Sequence, residues 1–235
     1  MSSLRSKLSK DFLLENGVSG LEAKFDEIAE ILLTKTKIKK GALSYDILDI
    51  EFYLFCKEHE DIITYPRNCE AGEWFFHNSG VDITFKSEEV NFIDNGSSLK
   101  AVFSNDENIF FGGILLRGIK LSHINNHKGI TGKNLNGHPQ NVCHELFDKF
   151  NALEPVIAHD YPYLEILDEA YCEFNRSDDK KRINLLNKDQ EISDKVKSIC
   201  SKNYYVGKSI YQPEFDKYFK KHLDKPYRYT LKESK

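Results

Sequence analysis

The stretch that most constrains this chain runs from Leu43 to Phe55, where apolar and polar side chains alternate through Asp49-Ile50-Glu51-Phe52-Tyr53. Successive side chains of a strand point to opposite faces. Ile50 and Phe52 therefore belong to one side, and Asp49, Glu51 and Tyr53 to the other. The apolar side must be buried. A sheet carrying the other side either leaves it in water or walls it off. If it is walled off, adjacent and partly desolvated carboxylates push one proton affinity upward, the condition for a general base. Both outcomes are open at this point.

The chain has the means to build a wall. It holds 235 residues, 40% of them hydrophobic, with 16 Phe and 12 Tyr, which excludes disorder as a whole and allows one large core. A formal net charge of −4 and a pI near 6.1 exclude a surface that coats nucleic acid everywhere but permit a local basic groove. No apolar run reaches the roughly 18 residues of a membrane span, and Met1 to Lys10 lacks the apolar segment of a secretory signal. Five cysteines without a Cys-x-x-Cys pair read as reduced thiols, so a cytoplasmic location is expected. Cys56, His59, Cys69 and His77 fit no common zinc spacing, and neither metal nor organic cofactor is expected.

Taken in order, residues 1–18 read as a flexible basic arm. Ser19-Gly20-Leu21-Glu22 has the capping-box form, followed by Leu21, Phe25, Ile28, Ala29, Leu32 and Leu33 at helical spacing. A Lys-rich turn over Lys35 to Gly41 leads into the strand from Leu43 to Phe55. Tyr65-Pro66-Arg67-Asn68 reads as a loop. Glu73 to His77 and Val81 to Phe85 predict a hairpin turning at Asn78-Ser79-Gly80, with Asp82 and Thr84 on the face opposite Val81, Ile83 and Phe85. Another short hairpin is expected around Asp94-Asn95-Gly96. Phe110 to Lys120 is the most apolar strand, with Gly112-Gly113 suited to a bulge or to close backbone approach and Arg117 at its end. His123 to Gly137 reads as an exposed loop, and Pro139 as the first turn of a helix with Val142, Leu146 and Phe150 as its stripe. A strand is expected at Ile183 to Leu186 and a helical piece after Pro213. No repeat or low-complexity linker interrupts the chain, so residues 19–235 are expected to form one compact α+β domain.

The order of these pieces resembles the alkyladenine (3-methyladenine) DNA glycosylases, as a divergent member. The pieces are Ala29-Glu30-Ile31-Leu32-Leu33, Glu51-Phe52-Tyr53, Pro66-Arg67-Asn68, Trp74-Phe75-Phe76-His77, Leu115-Leu116-Arg117-Gly118, Gly137-His138-Pro139, Arg182-Ile183-Asn184-Leu185 and Pro226-Tyr227-Arg228-Tyr229. The resemblance implies a curved antiparallel β-sheet surrounded by α-helices and the hydrolysis of the N-glycosidic bond of a damaged purine. It also departs from the family. Where the family carries an intercalating tyrosine this chain has Ser79, its base-selecting asparagine has no clear match, and His59 is not at the family's histidine spacing.

Roles follow from that resemblance and from the chemistry. Glycosidic cleavage builds positive charge on the sugar, which a carboxylate stabilises while activating water. Glu51 is expected in that role, with Arg117 holding water or carboxylate in place. Tyr53 and Phe76 would sandwich the base, and His77, Asp82 and Thr84 would line its edge. His59, Arg67, Asn68, Lys128 and Lys133 are the expected nucleic-acid contacts, in local basic patches over Lys35 to Lys40, His123 to Lys133 and Lys217 to Arg228. The expected partner is damaged DNA, met by a monomer. The alternative is a descendant of the fold, inactive or differently active, that binds nucleic acid or hydrolyses a modified nucleoside or nucleotide without opening a duplex.

Overall fold

The computed structural model describes residues 3–90, 92–94, 99–102, 108–124, 134–148, 153, 161–174, 182, 204–205, 219, 221–222 and 224–231. Helices α1 (Leu4–Lys7), α2 (Lys10–Leu13) and α3 (Leu21–Thr34) open the chain. Strands β1 (Thr36–Lys40), β2 (Leu43–Cys56), β3 (His59–Glu60), β4 (Trp74–His77), β5 (Gly80–Thr84), β6 (Phe92–Asp94), β7 (Leu99–Val102), β8 (Phe110–Ile124) and β9 (Asn134–Leu135) follow. Helix α4 (Pro139–Leu146) precedes β10 (Tyr163–Ile166), β11 (Tyr204–Tyr205) and β12 (Arg228–Thr230).

Among the described residues one domain is built on a curled antiparallel sheet in the order β10-β1-β2-β8-β5-β4, a half-barrel with few helices. β2 is its axis. β8 lines one side of it from Leu43 to Cys56, while β1, β12 and β3 succeed one another along the other. A small second sheet, β11-β7-β6, includes the expected hairpin, whose turn lies outside the described residues.

Helix α3 explains why the apolar face of β2 is dry. Its buried residues are Leu21, Phe25, Ile28, Ala29, Leu32, Leu33 and Thr34, the expected stripe plus one hydroxyl. Phe25 stacks on Phe52 at 4.3 Å and meets Tyr227 edge-on at 5.0 Å. Each aromatic ring sealed here contributes about 2 to 3 kcal/mol. No described helix is long and apolar enough to cross a membrane.

Three local expectations are corrected. Residues 3–18 are folded rather than a flexible arm: Ser3 and Ser9 cap α1 and α2, and Leu4, Leu8 and Leu13 are buried in the main core. The capping box does not form, because Val18–Gly20 winds a 3-10 turn and Ser19 donates to the Asn16 carbonyl instead. Thr36 to Lys40 is not a turn but a strand between β10 and β2, its buried Thr36 and Ile38 alternating with lysines. Most of the expected loop at 123–137, Phe150, the expected strand at 183–186 and residues 213–218 lie outside the described residues.

Irregularities bend the central pair. Ile47 faces Ile119 and Asp49 faces Gly118, which leaves Leu48 as an extra residue on β2; Ile50 then faces Leu116, which leaves Arg117 as an extra residue on β8. Such bulges increase twist and re-aim side chains. Close approach elsewhere needs glycine: a Cβ on Gly112 would lie 2.3 Å from the Tyr53 carbonyl oxygen, and one on Gly113 2.7 Å from Arg67 Nη1. Gly112→Ala is therefore expected to cost about 3 kcal/mol, measured as a lowered urea midpoint at unchanged slope.

Candidate functional site

Alternation along β2 puts Asp49 and Glu51 on the face away from α3, and both are fully buried. Their partners arrive from different elements. The Tyr53 hydroxyl donates to Glu51 Oε1 at 2.8 Å. Arg117, turned inward at its bulge, places Nη1 2.9 Å from Glu51 Oε2 and Nε 3.8 Å from Asp49 Oδ2. Strand β12 sets Arg228 opposite Glu51 in register, from where its Nε and Nη2 donate to Asp49 at 3.2 and 2.9 Å. Thr230 donates to the same carboxylate at 3.1 Å.

Arg182 closes this cluster. Its Nη1 donates to Asp61 Oδ2 at 2.6 Å, its Nη2 to the His222 carbonyl at 2.6 Å, and its guanidinium lies 5.4 Å from the Tyr53 ring centroid. Despite these cations, burial holds the Glu51 carboxyl above its ordinary range, with Asp49 adding to it; Arg117, Arg182 and the Tyr53 hydroxyl oppose. Burial and the Glu51 charge raise the Tyr53 phenol well above its usual value, so it remains a donor. Among the described residues Glu51 Oε2, Arg117 Nε and Arg182 Nε are buried without an aligned hydrogen bond, so the carboxylate edge facing Arg117 keeps polar capacity.

A separate polar cluster lies beyond Leu115, which stands between Glu51 and Asp82 in register. Arg67 Nη1 donates to Asp82 Oδ2 at 2.7 Å, and His77 Nε2 lies 2.9 Å from Asp82 Oδ1. Because the Ser79 N–H donates to His77 Nδ1 at 3.2 Å, Nε2 is the ring nitrogen that donates to Asp82. Burial would raise the Asp82 carboxyl, but His77 and Arg67 outweigh it and hold it below the usual range.

The structure thus brings Glu51, Arg117 and Tyr53 together and separates other expected site residues from them. Phe76 does not face Tyr53: it pairs with Val81 on the opposite face of the sheet, is 49% exposed and packs edge-on against Phe147. Thr84 donates to the Glu70 carbonyl at 2.7 Å and ties down the loop before β4. His59 and Arg67 are buried rather than available to a nucleic-acid backbone: His59 spans the Leu54 carbonyl and the Tyr227 hydroxyl, while Arg67 serves Asp82. Asn68 is exposed; Lys128 and Lys133 lie outside the described residues. Asp61 and Thr230 were not singled out from sequence, Arg182 entered only within a quoted motif, and Arg228, expected at the end of a nucleic-acid patch, instead donates to the buried Asp49. The alternation Tyr227-Arg228-Tyr229, apolar rings flanking a cation, was the available signal for Arg228.

Among the described residues no group of His, Cys, Asp and Glu is arranged to hold a metal ion. Comparison of the chain with protein-family models, curated proteins and solved structures found no match.

Behind Arg182, the buried rings of His59 and His222 lie 4.3 Å apart. Burial lowers the His222 imidazole from 6.5 to about 3, with His59, Arg182 and Lys221 adding to the shift and Asp61 opposing it. The unfolded chain takes up this proton as pH falls below 6.5, while the folded protein refuses it until about 3. The stability His222 contributes is therefore complete above 6.5 and lost as pH falls through that window. His222→Phe is expected to flatten the acid limb of stability against pH by up to one proton, about 1.4 kcal/mol per pH unit, read from urea midpoints between pH 4 and 7. Asp61→Asn, which strands Arg182 in the interior, is expected to cost about 3 to 5 kcal/mol by the same measurement.

Proposed function

We propose that the protein is a monofunctional N-glycosylase of the alkyladenine glycosylase type, which hydrolyses the bond between a damaged purine and its sugar in DNA. One observation carries the reading: Glu51, buried at the centre of the sheet, is gripped by the Tyr53 hydroxyl on one oxygen and by Arg117 on the other. The order of motifs along the chain supports it. A desolvated carboxylate beside a fixed guanidinium suits both tasks of the reaction. Ionised, it stabilises the cationic sugar and takes the proton of the attacking water as the C–N bond breaks. Arg117 orients that water and the carboxylate. Such a hydrolysis requires no organic cofactor.

A second reading keeps the chemistry but changes the substrate to a modified nucleoside or nucleotide, or to a single strand. It is favoured by the β4–β5 turn. Asn78-Ser79 carries no side chain able to wedge into a base stack, and the turn is tied back by His77 and by Gln140 donating to the Asn78 carbonyl at 2.8 Å. Extrusion of a base from a duplex needs such a wedge more than capture of an unstacked one does.

Both readings are tested by base release from alkylated purine, hypoxanthine and ethenoadenine substrates, offered in duplex, single strand and free nucleoside. Release by wild type is expected to fall at least about 100-fold in Glu51→Gln and in Arg117→Gln. Since Glu51 must be ionised, the rate is expected to rise with pH along an acid limb lying above the ordinary carboxylate range. Release from free nucleoside or single strand alone selects the second reading. Full activity in Glu51→Gln refutes the assigned base, and no release from any substrate refutes the enzyme.

A further inference from the structure

Arg182 is the cation in this cluster whose role the Glu51–Arg117 pair leaves unexplained. Unlike Arg117 it is not on the sheet. Its guanidinium is anchored at one end by Asp61, beyond β3, and by the His222 carbonyl from the C-terminal segment. It then lies 5.4 Å from the Tyr53 ring centroid and 5.6 Å from that of Tyr227. A guanidinium over an aromatic face is held by the ring quadrupole, and in return limits where the ring sits. The Tyr53 ring carries the hydroxyl that grips Glu51 Oε1 at 2.8 Å.

We propose that Arg182 is a positioning residue for Glu51: locked by Asp61 and the His222 carbonyl, it fixes the Tyr53 ring and so its hydroxyl on the Glu51 carboxylate. The role is distinct from that of Arg117, which touches the carboxylate itself at 2.9 Å. It also gives the long Asp61–Arg182 connection a purpose beyond holding the C-terminal segment down. Among the described residues the charged and titratable groups that act on Glu51 are Asp49 and Tyr53 on its own strand, Arg117 on β8 and Arg182. Arg228 of β12 is taken up by Asp49.

The inference rests on the reading of Glu51 as the working carboxylate, but its test needs no substrate. Glu51 is titrated directly by carboxyl carbon NMR in the full chain, with the resonance assigned by its loss in Glu51→Gln. Arg182→Gln is expected to raise the proton affinity of Glu51 tenfold or more, and Arg182→Lys to restore most of the difference. An affinity in Arg182→Gln within twofold of wild type overturns the proposal, since a merely structural arginine would lower stability and leave this titration in place.

A second arm uses the pair Arg182→Met and Tyr53→Phe, Met keeping the length of the side chain without its charge, and does not depend on Arg182→Gln folding. Because Arg182 acts partly through the Tyr53 hydroxyl, the double variant is expected to shift Glu51 by less than the product of the single shifts. Strictly multiplicative shifts overturn the proposed route through Tyr53. A titration that responds to Arg182 in a protein releasing no base from any substrate would sink the glycosylase and leave the positioning role standing.

Discussion

The structure depends on keeping carboxylates in the middle of a sheet. An ionised side chain taken out of water costs several kcal/mol even after relaxation, and Asp49 and Glu51 are both wholly buried on the central strand. Their neighbours are arranged around that cost. β8 carries Arg117 at a bulge, β12 pairs with β2 just where Arg228 and Thr230 reach Asp49, and Arg182 comes from outside the sheet over Tyr53. The same solution appears a strand beyond Leu115, where Asp82 is met by Arg67 and His77. Each carboxylate has its guanidinium, so the face is close to neutral while remaining strongly polarised.

The two faces of β2 divide the labour. Phe52 and its neighbours under α3 supply the area that holds the domain together, with Phe25, Phe85, Tyr227 and Tyr229 closing the layer. The opposite face gives up part of that stability to buried charged groups that apolar packing would serve better. Within it the electrostatics separate. Asp82, with His77 and Arg67 bonded to it, is held below the ordinary carboxylate range, whereas burial outweighs the cations around Glu51 and moves it up. Two acids on one face thus take opposite directions, Asp82 held down by its partners and Glu51 pushed up by burial.

Elements whose signal is periodic were legible in the sequence. The stripe from Leu21 to Leu33 names the buried face of α3, and the alternation through Ile50, Glu51 and Phe52 names both faces of β2. Arg117 was legible as a charge closing an apolar run, although its aim depends on a bulge that no spacing announces. The misreadings have local causes. The lysines around Ile38 hid a two-residue period, and the basic N-terminus hid Leu4, Leu8 and Leu13. Phe76 was assigned by analogy to a face that its register with Val81 rules out.

By itself the sequence determined which side chains share a face, because that follows from backbone period and holds whatever the strand meets. It marked Gly112 and Gly113 as a place for a bulge or a close approach, and the structure shows the close approach. Only the tertiary structure decided which acid acts with which base. Asp61 and Arg182, like Asp49 and Arg228, are far apart in the chain and meet because strand pairing and the docking of the C-terminal segment bring them together. Charge pairing is set by distance in space and by exclusion of water, and neither quantity is written in the local order of residues.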